Sequence, residues 1–218
     1  FGAVISVVGY LIGIFLRKKI SVLNPLLVSI IFVIAVIKIF HIDYETYNSG
    51  AKYISYLLTP ATVCLAIPLY RQISVLKEHA REVFIGILAG VLASMGSILL
   101  MSYLFGLTHE QYVTLLPKSI TTAIGMGVSE ELGGIQTITV AVIIITGVLG
   151  NIIAEAVLKI FRIKEPVAKG LAIGTASHAI GTTKALEIGE IEGAMSSLSV
   201  AVAGLMTVIS ASIFANMM

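Results

Sequence analysis

Two stretches of this chain mix ionisable side chains, hydroxyls and helix-breaking residues in apolar surroundings. One reads LLPKSITTAIGMGVSEELGG from Leu115 and offers Lys118, Ser119, Thr121 and Thr122. The other reads AKGLAIGTASHAIGTTKALEIGE from Ala168 and offers Thr175, His178, Gly181, Thr182 and Lys184. All of the polar side chains among them can donate hydrogen bonds, and the lysines are cations unless desolvated. Pro117 and the glycines let a helix break, and a break frees backbone N–H groups where the next half-helix begins. These groups together suit a small anion. No aromatic stacking surface accompanies them, which disfavours a flat heterocycle. A small hydroxy- or keto-carboxylate fits best.

Each residue also has a plain structural explanation. Lys118 can snorkel to the membrane surface. Lys184 can pair with Glu187 three residues on, and Glu155 with Lys159 four residues on. His178 can be a satisfied interior histidine. If 175–182 is helical, Thr175, His178 and Thr182 share one face; if it breaks, backbone N–H groups face the same ligand. Gly86, Gly90 and Ser94 form a stripe of small residues that reads as helix packing. The lone Cys64 reads as a small buried apolar residue.

The elements holding these residues must lie in a membrane. Of 218 residues, 57% are hydrophobic and 12% charged, about half the ~25% usual in soluble domains. Mean hydropathy is +1.02. The length allows about seven or eight spans of ~20 residues, with no room for an extramembrane domain. Apolar blocks fall at 3–16, 25–40, 51–70, 83–107, 112–128, 137–158, 170–188 and 194–218. None alternates as barrel strands do. The expected fold class is all-α, a polytopic transmembrane helical bundle with discontinuous or re-entrant helices and an internal repeat. The first block reads as a span rather than a cleaved leader, because no small-residue cleavage site follows it.

Charge orients the blocks. Basic loops lie at 17–19, 71–81 and 159–169, acidic or neutral ones at 41–48, 109–110 and 129–134. The rule that basic loops stay inside holds for the first three spans with the N-terminus outside. It then fails if 112–128 crosses fully, and is restored if 112–131 dips in and returns. A third interrupted block, LLTPATVCLAIPLYRQ from Leu57, carries Pro60 and Pro68 and is expected to meet the other two near the mid-plane. Tyr44, Tyr47, Tyr53 and Tyr56 read as interfacial anchors. Ile120-Thr121-Thr122 recurs as Gly181-Thr182-Thr183, each near a lysine and each followed by carboxylates and an apolar span. Paired interrupted segments point to a transporter binding site.

Other chemistry has little support. Net charge is +2, without a basic stripe for nucleic acid. His41, His79, His109 and His178 are scattered, without metal-ligand spacing. His178 with Ser177 or Thr175 lacks a nucleophile elbow, and no phosphate-cradling loop exists. An enzyme is not expected, and no cofactor.

The chain resembles the LrgB/CidB family of bacterial membrane proteins, which extends to the plastid glycolate/glycerate translocator. The resemblance runs over essentially the whole chain, 1–218, as one integral membrane domain. Its strongest blocks are NPLLVSIIF from Asn24, PATVCLAIPLYRQ from Pro60, LPKSITTAI from Leu116, GGI from Gly133 and GLAIGTASHAIGTTKALEIGEIEGAMSSL from Gly170. They add Asn24, Pro60, Ala61 and Pro68 to the candidate substrate-binding residues. The resemblance implies a multi-pass protein of the bacterial cytoplasmic membrane. It implies transport of small monocarboxylates such as pyruvate, glycolate or glycerate, or an antiholin-like role in controlling murein hydrolases, lysis and cell death. Either role would involve a small LrgA/CidA-type membrane partner. A homo-oligomer is compatible with the sequence. Ala123 stands where many members have proline after the Thr-Thr pair, which softens the expected break at Thr121-Thr122. Lys184 falls where the family is permissive.

Overall fold

A computed structural model describes residues 1–20, 23, 25–57, 60, 63–64 and 66–218. Among these residues the secondary structure is helical, with no strand. Asn24 and Ala61 lie outside the described residues. Two compact units divide the chain, Phe1–Cys64 and Leu65–Met218.

The first unit holds α1 (Gly2–Lys19), α2 (Pro25–Ile39) and α3 (Tyr44–Ser55). Pro25 opens α2, where its missing N–H is no loss. Arg17, Lys18 and Lys19 close α1, at the end of the helix dipole that favours cations. Asp43 caps α3 by accepting from the Glu45 N–H at 3.0 Å. The hydroxyls of Ser6 and Tyr47 meet at 2.8 Å and tie α1 to α3. Tyr44, Tyr53 and Tyr56 are exposed, as interfacial anchors would be. Cys64, expected to be buried, is exposed. In lipid a small apolar side chain needs no cover from protein. Pro60 is exposed as well.

The second unit holds α4 (Ala66–Arg71), α5 (Ile73–Glu78), α6 (Ala80–Phe105), α7 (His109–Leu115), α8 (Thr122–Glu131), α9 (Gln136–Ile160), α10 (Pro166–Ile188) and α11 (Glu190–Ala215). Pro68 sits in the first turn of α4, where proline is tolerated. Of the described helices, α6, α9 and α11 are long and apolar enough to cross a membrane. At 1.5 Å per residue they reach about 38 Å, beyond the ~30 Å hydrocarbon core. Seven or eight crossings are therefore not seen among the described residues. Two of the apolar blocks, 112–128 and 170–188, fold back instead of crossing.

The first fold-back is α7–α8. It is closed at its base by hydroxyls. Thr114 Oγ1 accepts from the Ile135 N–H at 2.8 Å. Thr139 Oγ1 donates to the Thr114 carbonyl at 2.9 Å and lies 2.7 Å from Ser129 Oγ. Thr114 lies on the inward arm, Ser129 lies near the end of the returning arm, Ile135 is the N-cap of α9, and Thr139 sits in its first turn. Tyr112 Oη donates to the carbonyl of Phe214, so this base lies at the Phe214 end of α11.

The second fold-back is α10. Its backbone leaves the helical region at His178, with φ 43° and ψ −144°. Lys169, near its start, pairs with Glu192 at 3.5 Å. Leu186, near its finish, packs against Gly193. Both arms thus begin and end beside the first turn of α11, at the Glu192 end. Close approach needs glycine: a Cβ at Gly174 would stand 2.4 Å from the Ser196 carbonyl oxygen.

The two hairpins therefore enter from opposite ends. Each is followed by a crossing helix, α9 or α11, and these two run in opposite senses. The repeated Thr-Thr pairs fall in the two returning arms. The order of elements is duplicated and inverted, the arrangement that builds mid-membrane sites in transporters.

Candidate functional site

The hairpin tips are the 116–121 turn and the break at His178. Lys118 and Ser119 sit on the first tip, alongside the middle of α6. Lys118 Nζ donates to Ser94 Oγ at 3.3 Å and to Ser119 Oγ at 3.1 Å, and the two serine oxygens are 2.9 Å apart. Among the described residues no carboxylate pairs with this ammonium. A half-buried cation held only by neutral hydroxyls carries net charge that attracts an anion.

A cavity of about 730 Å³ faces this group. It reaches from His79, Glu82 and Glu165 at the Glu192 end to Ser94, Lys118 and Ser119 in the middle, with Thr175 on its other wall. Thr175 is 6% exposed. Its hydroxyl is buried with no hydrogen-bond partner among the described residues. Such a group costs about 1–3 kcal/mol unless something bonds to it. Gly90 of α6 sits against Thr175, and a Cβ there would come within 2.6 Å of Thr175 Cγ2. The Gly86–Gly90–Ser94 stripe, read as packing, does pack α6 on α10. It also lines the cavity and supplies Ser94. Sequence reasoning missed Ser94 as a site residue because its spacing looked purely structural; its hydroxyl was the available signal.

Half-helix dipoles do not decide the sign of the ligand. Each hairpin brings one half-helix C-terminus and one half-helix N-terminus to the middle, so the dipoles partly cancel. Lys118 decides it.

Of the predicted residues, Lys118, Ser119 and Thr175 share the cavity. Thr121, Thr122, His178, Gly181, Thr182 and Lys184 are placed elsewhere. Thr121 is the N-cap of α8 and Thr122 its first residue. His178 does not line the cavity. Its Nε2 lies 3.0 Å from the Ile143 carbonyl, which can only accept, so Nε2 carries the proton. Thr182 Oγ1 donates to the His178 carbonyl at 3.0 Å and meets Ser196 Oγ at 2.8 Å. Gly181 packs on Ser177 and Ile173. The shared face of Thr175, His178 and Thr182 is not formed, because the break at His178 turns the second half of α10 away. Lys184 is not the counterpart of Lys118: it pairs with Glu155 at 2.5 Å and with Glu187 at 3.2 Å. Glu155 thus joins α9 to α10 in place of the expected pair with Lys159. The expected meeting of 57–70 with the two hairpins rests partly on residues outside those described. Among the described residues no group of three or more His, Cys, Asp or Glu could hold a metal ion.

Fold and cavity together define an all-helical membrane protein with two inverted hairpins and a cavity lined by Lys118. The chain belongs to the LrgB-like family, whose pattern matches residues 6–217. It is 39% identical over 212 residues to proteins named antiholin-like protein LrgB from Bacillus mycoides (strain KBAB4) and Bacillus cereus (strain B4264). The same identity holds for the protein of that name from Bacillus anthracis (strain CDC 684 / NRRL 3495). Each match covers 96% of this chain and 92% of the relative. None of these names is that of an enzyme. No solved structure matches the chain.

Proposed function

We propose that this protein is an antiholin-like member of its family that works by carrying small carboxylates across the bacterial cytoplasmic membrane. The two halves of this reading have different support. The names of the relatives support the antiholin-like role directly, and more directly than they support transport. The cavity supports carriage through one observation: the Lys118 ammonium has serine hydroxyls as its partners, and the cavity it lines is also lined by Thr175, whose hydroxyl has no partner among the described residues. A carboxylate would neutralise the first and accept from the second.

Orientation follows from charge. Lys159, Arg162, Lys164 and Lys169 gather at the Glu192 end, beside Glu155, Glu165 and Glu192, while no lysine or arginine lies on the 108–116 segment at the other end, where His109 meets Met218. Basic segments stay in the cytoplasm, so the cavity opens inward. A small LrgA/CidA-type membrane protein is the proposed partner.

The test is uptake of labelled pyruvate, glycolate and lactate into liposomes holding the purified chain, with and without that partner. Saturable uptake that falls about tenfold or more in Lys118→Ala is the expected result, since a charge-assisted hydrogen bond contributes ~1.5–3 kcal/mol. A regulator of murein hydrolases that carries nothing would bind the partner yet show no saturable uptake under either condition. That result would leave the antiholin-like role and remove carriage.

A further inference from the structure

A second cavity, of about 520 Å³, lies at the Glu192 end around the turn between α9 and α10. Carriage through the Lys118 site makes no use of it. Lys159, Arg162, Lys164 and Lys169 line it, and Leu158, Ile163 and Ile188 give it an apolar floor. Its one lining carboxylate, Glu155, is engaged 2.5 Å from Lys184. Lys169 is engaged with Glu192. Among the described residues no carboxylate pairs with Lys159, Arg162 or Lys164.

Cations at helix C-termini and on the inner side of membranes are common. Two features go beyond that background. Arg162 adopts φ 54° in the turn that ends α9, closed by the Ile163 N–H donating to the Leu158 carbonyl at 2.8 Å. Glycine takes that position without strain, and here the chain holds a guanidinium there. Beside it, Ile160 and Phe161 are 74% and 72% exposed. A cationic pocket with an apolar floor next to an exposed apolar ledge matches one ligand chemistry, a phosphate joined to hydrocarbon.

We infer that this cavity holds the headgroup of an anionic phospholipid, with Lys159, Arg162 and Lys164 around the phosphate and the acyl chains along Ile160 and Phe161. The inference does not rest on carboxylate carriage.

The test is lipid retention by the full chain, purified in neutral detergent and read by native mass spectrometry. The probes are phosphatidylglycerol, phosphatidylcholine of equal chain length, and glycerol phosphate. Phosphatidylglycerol should be retained at least about fivefold over phosphatidylcholine, since each basic residue near a membrane surface contributes about that factor. Arg162→Gly keeps the turn and should lower the preference about fivefold. Lys159→Gln/Arg162→Gly/Lys164→Gln should abolish it. Lys18→Gln, in another basic segment, should leave it unchanged. The proposal is overturned if phosphatidylglycerol has no advantage in the wild type or keeps it in Arg162→Gly. An equal loss in Lys18→Gln would mean diffuse charge and also overturns it. Displacement by an equal concentration of glycerol phosphate would make this a free-phosphate site, not a lipid site.

Discussion

His178 Nε2 donates to the carbonyl of Ile143 at 3.0 Å, and so the residue that breaks α10 also anchors the break to the middle of α9. The packing agrees. A Cβ at Gly147 would stand 2.7 Å from His178 Cε1, so the imidazole lies in a groove that only glycine leaves open. The histidine is thus a fastener for the hairpin tip. It holds the Thr175 arm in place without touching the cavity itself.

That double role gives an ordering of variants. His178→Ala loses the buried hydrogen bond, about 1 kcal/mol, and leaves a void that adds to the loss. It keeps a Cβ at positive φ. His178→Gly loses the same contacts but relieves the backbone, worth on the order of 1 kcal/mol. Thermal unfolding in detergent should rank wild type above Gly and Gly above Ala. A Gly variant less stable than Ala would mean that the break does not strain residue 178.

Two glycines should respond in opposite directions. Gly174→Ala drives a methyl to 2.4 Å from the Ser196 carbonyl oxygen and 2.1 Å from Ser199 Oγ. The backbone oxygen cannot rotate away, so the hairpin must move off α11. The expected loss is about 1–3 kcal/mol. Gly96 of α6 has nothing within 4 Å of where its Cβ would be. Gly96→Ala should raise stability by up to about 1 kcal/mol through helix propensity alone. Melting temperatures of the two variants against wild type check both signs.

How much of this was legible in the sequence depends on the level asked about. Hydropathy made the fold class plain, and the charge conflict around 112–131 correctly implied a segment that dips and returns. The second dip, at 170–188, shows in the sequence as a break but not as a return. Nothing in its local pattern fixes where the far arm goes; the contacts of Lys169 and Leu186 with the first turns of α11 fix it. Lys118 and Thr175 were legible as donors, because polar groups in an apolar block need a reason to be there. Ser94 was not, since one hydroxyl in a stripe of small residues looks like packing. Lys184 was misplaced with Lys118 because sequence similarity between the two Thr-Thr segments carries no depth. Its carboxylate partner Glu155 comes from another helix, and such pairings are invisible without the fold.

Lys184 should therefore matter to stability and not to the ligand. Its ion pairs are partly exposed at the Glu155 side, so Lys184→Gln should cost no more than about 1 kcal/mol. Raising the salt concentration should shrink the difference from wild type. Carboxylate uptake should stay within about twofold of wild type under conditions where both proteins are folded, since a residue outside the cavity leaves the ligand's contacts in place. Uptake that falls as steeply as in Lys118→Ala, with melting unchanged, would move Lys184 into the site.

Thr175→Val offers the sharpest separation of stability from function. Valine has nearly the shape of threonine and removes a buried hydroxyl that has no partner among the described residues. Losing that unsatisfied group should raise thermal stability, by about 1 kcal/mol. The same change removes a donor from a residue that lines the Lys118 cavity, so carboxylate affinity should fall several-fold, the effect of one neutral hydrogen bond. Thr175→Ser keeps the hydroxyl and should keep the affinity, at some cost in packing against Gly90. The paired measurement is melting temperature in the empty state and uptake at sub-saturating pyruvate. A valine variant that is less stable than wild type would show that the hydroxyl is satisfied within the fold. A stabilised variant with unchanged uptake would leave Lys118 and the serines to hold the anion alone. A gain in stability joined to a loss of affinity is the outcome expected of a residue whose hydrogen-bond partner is the ligand.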